Sequence, residues 1–476
     1  MKKEIILMSF AIIALSFNLS SCEAKKNDFE IFIRINIYSC KSCDLNFPYD
    51  LFSENMTINL LFRKSEQGIV KSGKLNWFIN GFSGKVRLIF DDEKFKIIEN
   101  FLGSNLFVFN GNKIIYHVPL HEVKDKIEMI RCSLLFPQPI KNKRISGLKV
   151  KLNETQFYSN TKKMFISDIS MGYVYCLNEK LGKFNARLVL DINKIKPDSI
   201  FKFNILRSSS INQLKDAMNK IKDQFGDFFK LTASNFYNEK FYSSFDFYEP
   251  LFFGDTCKMN VYKFLIDVDT KKLIFIPQPN DTNYILLNED RFGFFNNFLF
   301  FPVIRTNVKK NKPFYFIAKY ELENNEFKDN NICSFELPKS FLKLGLYYNF
   351  VGKKSNDNLI FFKRLPYVLD FQNMTFFRLN FNTNDDDFSF YPSSKDSNYI
   401  FIYGMIKSKN LIETVYLQAD KIHYSIFELK TNSMIRDFIL NLNYKEIKGD
   451  VIIESMKRIY FIHSSGNKIG IINLVD

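Results

Sequence analysis

Cys40 and Cys43 are the only cysteines that lie close together in this sequence. Two thiols separated by two residues can form a short structural disulfide. They can also exchange disulfides, provided that a helix N-terminus or nearby positive charge holds the first thiol as a thiolate. Lys41, between them, would add positive charge. The spacing therefore leaves a redox-active pair and a structural disulfide as alternatives.

A third cysteine, Cys22, follows a segment with the features of an export signal. Lys2 and Lys3 precede a nearly unbroken apolar run at residues 5–17. A helix that spans a bilayer needs about 20 residues, whereas the apolar core of a signal peptide is shorter. We therefore predict that residues 1–21 are a signal peptide. No later stretch is long and apolar enough to predict a membrane span.

The four residues that end at Cys22, Leu-Ser-Ser-Cys, resemble the lipobox of bacterial lipoproteins. The resemblance implies diacylation of the Cys22 thiol, cleavage before it and acylation of the new amino group. Several acyl chains anchor a protein firmly, whereas one chain binds marginally. The alternative is an ordinary signal peptide followed by an incidental cysteine. By analogy with enteric lipoproteins, Glu23 favours the outer membrane, and the membrane face stays open.

The other four cysteines, Cys132, Cys176, Cys257 and Cys333, are isolated in the sequence and lie mostly among apolar residues. This pattern predicts buried, unreactive thiols. A zinc site would need a second cysteine pair or histidines at ligand spacing, which the sequence lacks. It also lacks a Gly-rich phosphate loop and a nucleophile elbow. We therefore predict neither a metal nor a cofactor.

The composition indicates a folded protein of more than one domain and limits its partners. The chain has 476 residues, of which 46% are hydrophobic and 25% charged. Its net charge of +15 is spread along the chain, and an exported protein rarely meets nucleic acid, so we predict no nucleic-acid partner. The predicted partners are membrane lipid, through acylated Cys22, and an unidentified protein or small-molecule ligand. The 55 phenylalanines are predicted to fill the core.

Residues 28–135 have the pattern of an α/β domain. Alternating or β-branched runs predict strands, Asn110-Gly111 predicts a hairpin turn, and apolar periodicity with acidic starts predicts helices. The predicted strands are at residues 29–38, 56–62 and 85–90, the hairpin strands at 106–109 and 113–116, and the helical stretches at 65–82, 91–101 and 121–131.

This order of elements, with Cys40 and Cys43 directly after the first strand, resembles a thioredoxin-like domain. The resemblance implies that Cys40 is the nucleophile and Cys43 the resolving thiol. The sequence departs from the family pattern at two places. Pro48 shortens the helix that follows the pair, and Ser104 occupies the place of the family's cis-proline. The domain either catalyses disulfide exchange or keeps the fold without turnover.

Residues 145–476 consist of strand after strand, with one recurring unit of an aromatic-aliphatic strand, a polar turn and a return strand. Its copies start at Tyr173, Tyr262, Ile317, Tyr367 and His423, and a half copy starts at Ile469. The later copies are about 45 to 60 residues apart, the period of a four-stranded propeller blade. This part resembles the six-bladed propellers of bacterial lipoproteins of the Bacteroidota type.

Three further expectations belong to this second domain. The half copy is predicted to pair with an early strand, which closes the ring and leaves no open edge. A capped helix at residues 210–225 is predicted as an insertion in one blade. Seven blades and a pair of β-sandwiches are the alternatives to six blades.

Together these features predict an α/β thioredoxin-like domain at residues 28–135 followed by an all-β propeller at residues 145–476. The predicted location is the cell envelope, lipid-anchored and at the outer membrane. The first hypothesis for function is a non-enzymatic module that binds a ligand or partner through its propeller. The alternative is a thiol-disulfide oxidoreductase that uses Cys40 and Cys43, with the propeller selecting the client.

Overall fold

The structure is a computed structural model, and it divides into two compact units, Met1–Phe136 and Pro137–Asp476. It describes residues in both units, namely 29–34, 57–81, 85–101, 106–110, 112–119, 132, 135–159, 163–180, 182–237, 239–286, 292–295, 298–305, 314–323, 326–336, 359–361, 366–370, 373, 375–381, 400–408, 410–418 and 420–474. The predicted signal peptide and the helix predicted at residues 121–131 lie outside these ranges.

The first unit contains a five-stranded mixed sheet in the order β3-β2-β1-β4-β5. The parallel neighbours are β1 with β2 and β2 with β3, whereas β4 is antiparallel to both β1 and β5. The strands predicted in the sequence are present where the structure describes them. Their bounds are β1 Phe29–Ile33, β2 Thr57–Phe62, β3 Lys85–Phe90, β4 Leu106–Asn110 and β5 Lys113–Val118.

The crossover between β2 and β3 is a series of short helical turns. The sequence predicted a helical stretch over residues 65–82, but Gly73 takes the left-handed conformation, with φ +82°, and interrupts it. A non-glycine residue would be strained at this φ, which makes Gly73 a natural break point. The turns are a 3₁₀ turn Lys64–Glu66, α1 Gln67–Ile69, a π turn Val70–Lys74 and α2 Asn76–Ile79.

Alternating side chains of β1 place two apolar layers on the two faces of this sheet. Ile31 and Ile33 pack with Val70 and Leu75 of the crossover segment. Phe32 packs on the opposite face with Phe95 of helix α3, Asp92–Glu99. The Asp91 carboxylate caps α3 by accepting hydrogen bonds from the backbone N–H groups of residues 93 and 94, as the acidic start of this stretch predicted. Helical segments therefore cover both faces.

The second unit is almost entirely β-structure. Its helical elements are a 3₁₀ turn Ile192–Lys194, α4 Pro197–Phe201, α5 Ile211–Phe225 and a 3₁₀ turn Tyr444–Glu446. Its strands are β6 Lys141–Ser146, β7 Thr155–Ser159, β8 Met164–Asp168, β9 Tyr173–Lys180, β10 Lys183–Asp191, β11 Phe229–Tyr237, β12 Lys240–Phe253, β13 Thr256–Asp267, β14 Leu273–Ile276, β15 Tyr284–Leu286, β16 Gly293–Phe295, β17 Phe298–Arg305, β18 Phe314–Glu323, β19 Glu326–Glu336, β20 Leu359–Phe361, β21 Tyr367–Asp370, β22 Thr375–Arg378, β23 Ile400–Ser408, β24 Leu411–Gln418, β25 Lys421–Glu428, β26 Met434–Ile439, β27 Ile447–Glu454, β28 Arg458–His463 and β29 Lys468–Asn473.

These strands form antiparallel groups that follow one another along the chain. The groups are β7–β10, β11–β14, β15–β19, β20–β22, β23–β26, and β27–β29 together with β6. Each of the five recurring units of the sequence is present as a hairpin, at β9–β10, β13–β14, β18–β19, β21–β22 and β25–β26. The alternating sequence pattern therefore predicted the hairpins correctly.

The first and last groups join into one eight-stranded sheet in the order β27-β28-β29-β6-β10-β9-β8-β7. The junction is a short parallel pairing of β6 with β10. The two terminal strands of this sheet also approach each other, because the Thr155 hydroxyl in β7 donates a hydrogen bond of 2.7 Å to the Lys448 carbonyl in β27. The sheet is therefore nearly closed.

Strand β6, near the start of the unit, pairs with β29, near its end. Their antiparallel register places Ile469 opposite Lys143 and Gly470 opposite Asn142. The predicted pairing of the C-terminal half copy with an early strand is thus confirmed. The last group therefore gains its fourth strand from the other end of the unit.

Helix α5 occupies a different position from the one predicted. The sequence placed it as an insertion within a blade, whereas the structure places it between β10 and β11, which belong to consecutive groups. Its start is the predicted one, since the Ser210 hydroxyl accepts a 3.2 Å hydrogen bond from the Gln213 N–H. Leu214 and Ile221 bury its apolar face in the core between the two groups. None of the described helices is long and apolar enough to cross a membrane.

Phenylalanine rings fill much of this core, as the composition predicted. Phe165 of β8 stacks on Phe241 of β12 with ring centroids 4.2 Å apart, and Phe245 stacks on Phe264 at 5.4 Å. Offset aromatic pairs add to the free energy gained by burying the rings themselves. The Phe165–Phe241 pair joins two sheets, whereas Phe245 and Phe264 are partners on adjacent strands of one sheet.

Candidate functional site

The cysteines singled out in the sequence, Cys22, Cys40 and Cys43, lie outside the described residues, so their roles stay predictions. Among the described cysteines, Cys176, Cys257 and Cys333 are free thiols. Cys132 and Cys176 are buried, as expected, whereas Cys333 is only partly buried and Cys257, in β13, is exposed. Within the described part of the chain, no group of three or more His, Cys, Asp or Glu side chains could hold a metal ion.

A surface depression of about 500 Å³ lies beside β10, the end of β13 and the start of β14. Depressions of about 300–1,000 Å³ accommodate small organic ligands. Its apolar lining comes from Leu188, Leu190, Ile195, Ile266 and Leu273. We refer to this depression as the β10–β14 site. It arises because strands of two consecutive groups lie beside the 3₁₀ turn and helix α4 that connect them.

Lys271 is fixed at the edge of the β10–β14 site. It lies in the turn between β13 and β14 with φ +61°, and its ammonium donates hydrogen bonds to the carbonyls of Val189 and Val268. Partial burial lowers the pKa of Lys271, although Asp269 and Asp267 oppose this shift. An ammonium has three N–H groups, so one donor remains after these two bonds.

Hydrogen bonds to Asp267 stabilise the turn that contains Lys271. The Asp267 carboxylate accepts hydrogen bonds from the N–H groups of Asp269, at 3.0 Å, and Thr270, at 3.1 Å. The Lys271 N–H donates to the Asp267 carbonyl at 2.8 Å. These bonds hold the ammonium of Lys271 at a defined place beside β10.

Two further lysines, Lys194 and Lys196, line the β10–β14 site from the connection that precedes α4. Pro197 at the first position of α4 fixes where this connection ends. Both lysines are exposed, and neither forms an ion pair with another described residue. The site therefore carries positive charge from three amines.

The acids near the site are engaged by other lysines. Asp191 accepts from Lys149 at 3.3 Å, and its side chain is only 10% exposed. Asp198 accepts from Lys215 at 3.0 Å, and this hydrogen bond is the first cause of the lowered pKa of Asp198. Each of these carboxylates thus has a lysine partner other than Lys194, Lys196 and Lys271. Lys196 also contributes to the lowered pKa of Asp198, and one oxygen of Asp191 is buried without a hydrogen-bond partner.

A second polar cluster lies on one face of β24, β25 and β26. The Asp437 carboxylate accepts hydrogen bonds from His423 Nδ1 at 3.0 Å, from the Tyr416 hydroxyl at 3.2 Å and from the Ser425 hydroxyl. The ring of His423 stacks on that of Tyr416 with centroids 5.0 Å apart. Cross-strand register brings these four side chains together, with Tyr416 opposite His423 and Ser425 opposite Asp437.

This cluster contains serine, histidine and aspartate, but its geometry differs from that of an acyl-transfer triad. In a triad the serine bonds to the imidazole and the imidazole bonds to the carboxylate. Here Ser425 and His423 both bond to Asp437 instead. The arrangement holds a carboxylate in place, which is a structural task.

We predict a specific pH dependence from Asp437. Burial alone would raise its pKa, but the hydrogen bonds from His423 and Ser425 outweigh burial, so the pKa of Asp437 lies below its ordinary value. A depressed pKa stabilises the fold above about pH 3.9, and this contribution is lost as the pH falls through the folded-state pKa. Asp437→Asn should therefore lower the urea midpoint at pH 7 more than at pH 3. The exposed Asp216→Asn is the control, and an equal deficit of Asp437→Asn at both pH values would contradict the prediction.

Glu249 is a buried carboxylate near aromatic residues, and its contacts give it a structural role. It is fully buried and accepts hydrogen bonds of 2.8 Å from the Ser208 N–H, the Ser208 hydroxyl and the Tyr262 hydroxyl. Burial, followed by this contact, raises the pKa of Tyr262 to about 12. Glu249 thus attaches the segment before α5 to β12 and β13.

Comparisons with known proteins identify no family. No protein-family model matches the sequence, and no curated protein matches it. Among solved structures, the chain is similar to a crystal structure of a Bacteroides fragilis protein that is assigned as exported. The TM-score is 0.38 and the identity 9%, over 72% of this chain and 96% of that chain.

Proposed function

We propose that this chain is an exported, lipid-anchored protein of the cell envelope whose second unit binds a small-molecule ligand without catalysing a reaction. The observation that carries the binding role is the β10–β14 site, which combines an apolar lining with the amines of Lys194, Lys196 and Lys271. The export segment and the Cys22 lipobox support the location at the outer membrane.

We also propose that the second unit is a six-bladed β-propeller. Six groups of antiparallel strands follow one another in the described residues, and β6 completes the last of them. Apolar clusters lie between consecutive groups, for example between β7–β10 and β11–β14 and between β11–β14 and β15–β19. A further cluster lies between the last group and the first. Face-to-face packing of successive sheets is what a propeller requires.

For the first unit we propose a thioredoxin-like domain that keeps the fold without disulfide turnover. The parallel strands β1 and β2 and the antiparallel hairpin β4–β5 in the same sheet support this fold. In this proposal the unit connects the lipid-bearing N-terminus to the ligand-binding unit in the sequence.

The anchor has a direct test. Cells grown with labelled palmitate should incorporate the label into the protein, and Cys22→Ser should abolish the label and release the protein from the membrane fraction. Cys257→Ser, which changes an exposed cysteine, should keep the label. Label retained by Cys22→Ser, or native protein that is water-soluble with Met1 intact, would overturn the proposed anchoring.

A further inference from the structure

We propose that the β10–β14 site binds an organic anion with an apolar portion, the chemistry shared by free alkyl carboxylates and anionic lipids. This inference rests on the proposed binding function and names the class of ligand.

The positive charge of the site favours an anionic ligand. Lys194 and Lys196 have no ion-pair partner among the described residues, and the nearby carboxylates of Asp191 and Asp198 are bonded to Lys149 and Lys215. Asp267 and Asp269, which act on Lys271, lie 3.8 Å from Lys240 and 3.7 Å from Lys163, respectively. The amines around the site therefore outnumber the acids, and the resulting positive field attracts an anion and repels a cation. A charge-assisted hydrogen bond is also about twice as strong as a neutral one.

The fixed position of Lys271 also favours binding of an anion. Its ammonium donates hydrogen bonds to the carbonyls of Val189 and Val268, so binding an anion would restrict little additional side-chain freedom. Partial burial disfavours its charged form, and a bound anion would relieve that cost. Lys271 is thus a fixed donor, whereas Lys194 and Lys196 are exposed ones.

The apolar lining of the site favours a ligand with an apolar portion. Leu188, Ile195 and Leu273 line the same depression as the three amines. An inorganic anion would leave this apolar surface in water, whereas an alkyl chain would cover it at a gain of about 25 cal/mol per Å². The site therefore favours an amphiphilic anion over phosphate or sulfate.

The test uses the mature chain with Cys22→Ser, which lacks the proposed lipid anchor, and measures binding of decanoate, decanol and decylamine by calorimetry below their aggregation concentrations. We expect decanoate to bind at least about tenfold more tightly than decanol. Lys194→Glu with Lys196→Glu should abolish that preference. Lys430→Glu with Lys457→Glu makes the same charge change at exposed positions elsewhere and should leave it intact.

Binding measurements with two kinds of lipid vesicle distinguish an anionic lipid from a free acid as the ligand. Binding to phosphatidylglycerol vesicles, but not to phosphatidylcholine vesicles, that is lost in the Lys194→Glu/Lys196→Glu variant would identify a lipid source. Binding to decanoate alone would identify a free acid.

The outcomes separate this inference from the proposed function. If decanoate and decanol bind equally and the lysine variant changes neither, the site binds ligands but the anion inference is overturned. If none of the probes binds, both the inference and the binding role of this site are overturned.

Discussion

Lys263→Met is expected to lower the free energy of unfolding of the second unit by about 3–5 kcal/mol. Lys263 in β13 donates a 2.8 Å hydrogen bond to Asp246 in β12, and their side chains are only 2% and 1% exposed. Removing the ammonium leaves a buried carboxylate without its closest partner, and desolvation of that charge is the dominant cost. Chemical denaturation of the full chain, followed by far-UV circular dichroism, measures the change.

Two variants make this prediction specific. Lys230 lies opposite Asp246 on β11 but is exposed, so Lys230→Met should cost less than about 1 kcal/mol. The double variant Lys263→Met/Asp246→Leu removes both charges and should recover much of the lost stability. A single Lys263→Met variant as stable as Lys230→Met would contradict the importance of the buried ion pair.

Gly449→Ala is expected to destabilise the second unit by at least about 2 kcal/mol. Gly449 in β27 has φ +76°, and a Cβ at this position would lie 2.1 Å from the carbonyl oxygen of Thr155 in β7. Backbone atoms cannot move aside cheaply, so the two terminal strands of the eight-stranded sheet would have to separate. Hydrogen exchange at β7 and β27 should increase in the variant.

Gly254 provides the matched control. It also has positive φ, +61°, but an added Cβ would meet no atom within 4 Å. Gly254→Ala therefore reports the conformational cost alone, about 1–2 kcal/mol. If Gly449→Ala were no more destabilising than Gly254→Ala, the close approach of β7 and β27 would not contribute to stability.

Local sequence patterns predicted the elements well where each element depends on its own residues. The run Lys85–Phe90 forms β3 at the predicted bounds, and the hairpin at Asn110-Gly111 is present. The acidic cap of α3 at Asp91 was also readable. Gly73 shows the limit, because its left-handed φ divides a stretch whose length suggested one crossover helix, although Gly68 and Gly73 already argued against it.

The candidate site was not predictable in the same way. Lys194 and Lys271 are far apart in sequence, and only the packing of β10 beside β13 and β14 brings them to one depression. His423 and Asp437 likewise meet through the register of β25 and β26. The two-residue spacing of His423 and Ser425 was the one available signal, since it places both on one face of a strand.

The pairing of β6 with β29 constrains the order in which the second unit can fold. Strand β6 is synthesised well before its partner β29, so the final group stays incomplete until β29 has been made. Until then β6 exposes unpaired backbone groups that another chain could bind. Chaperones that protect unpaired strands should therefore matter more for the folding of this protein than for one in which each sheet is formed by consecutive strands.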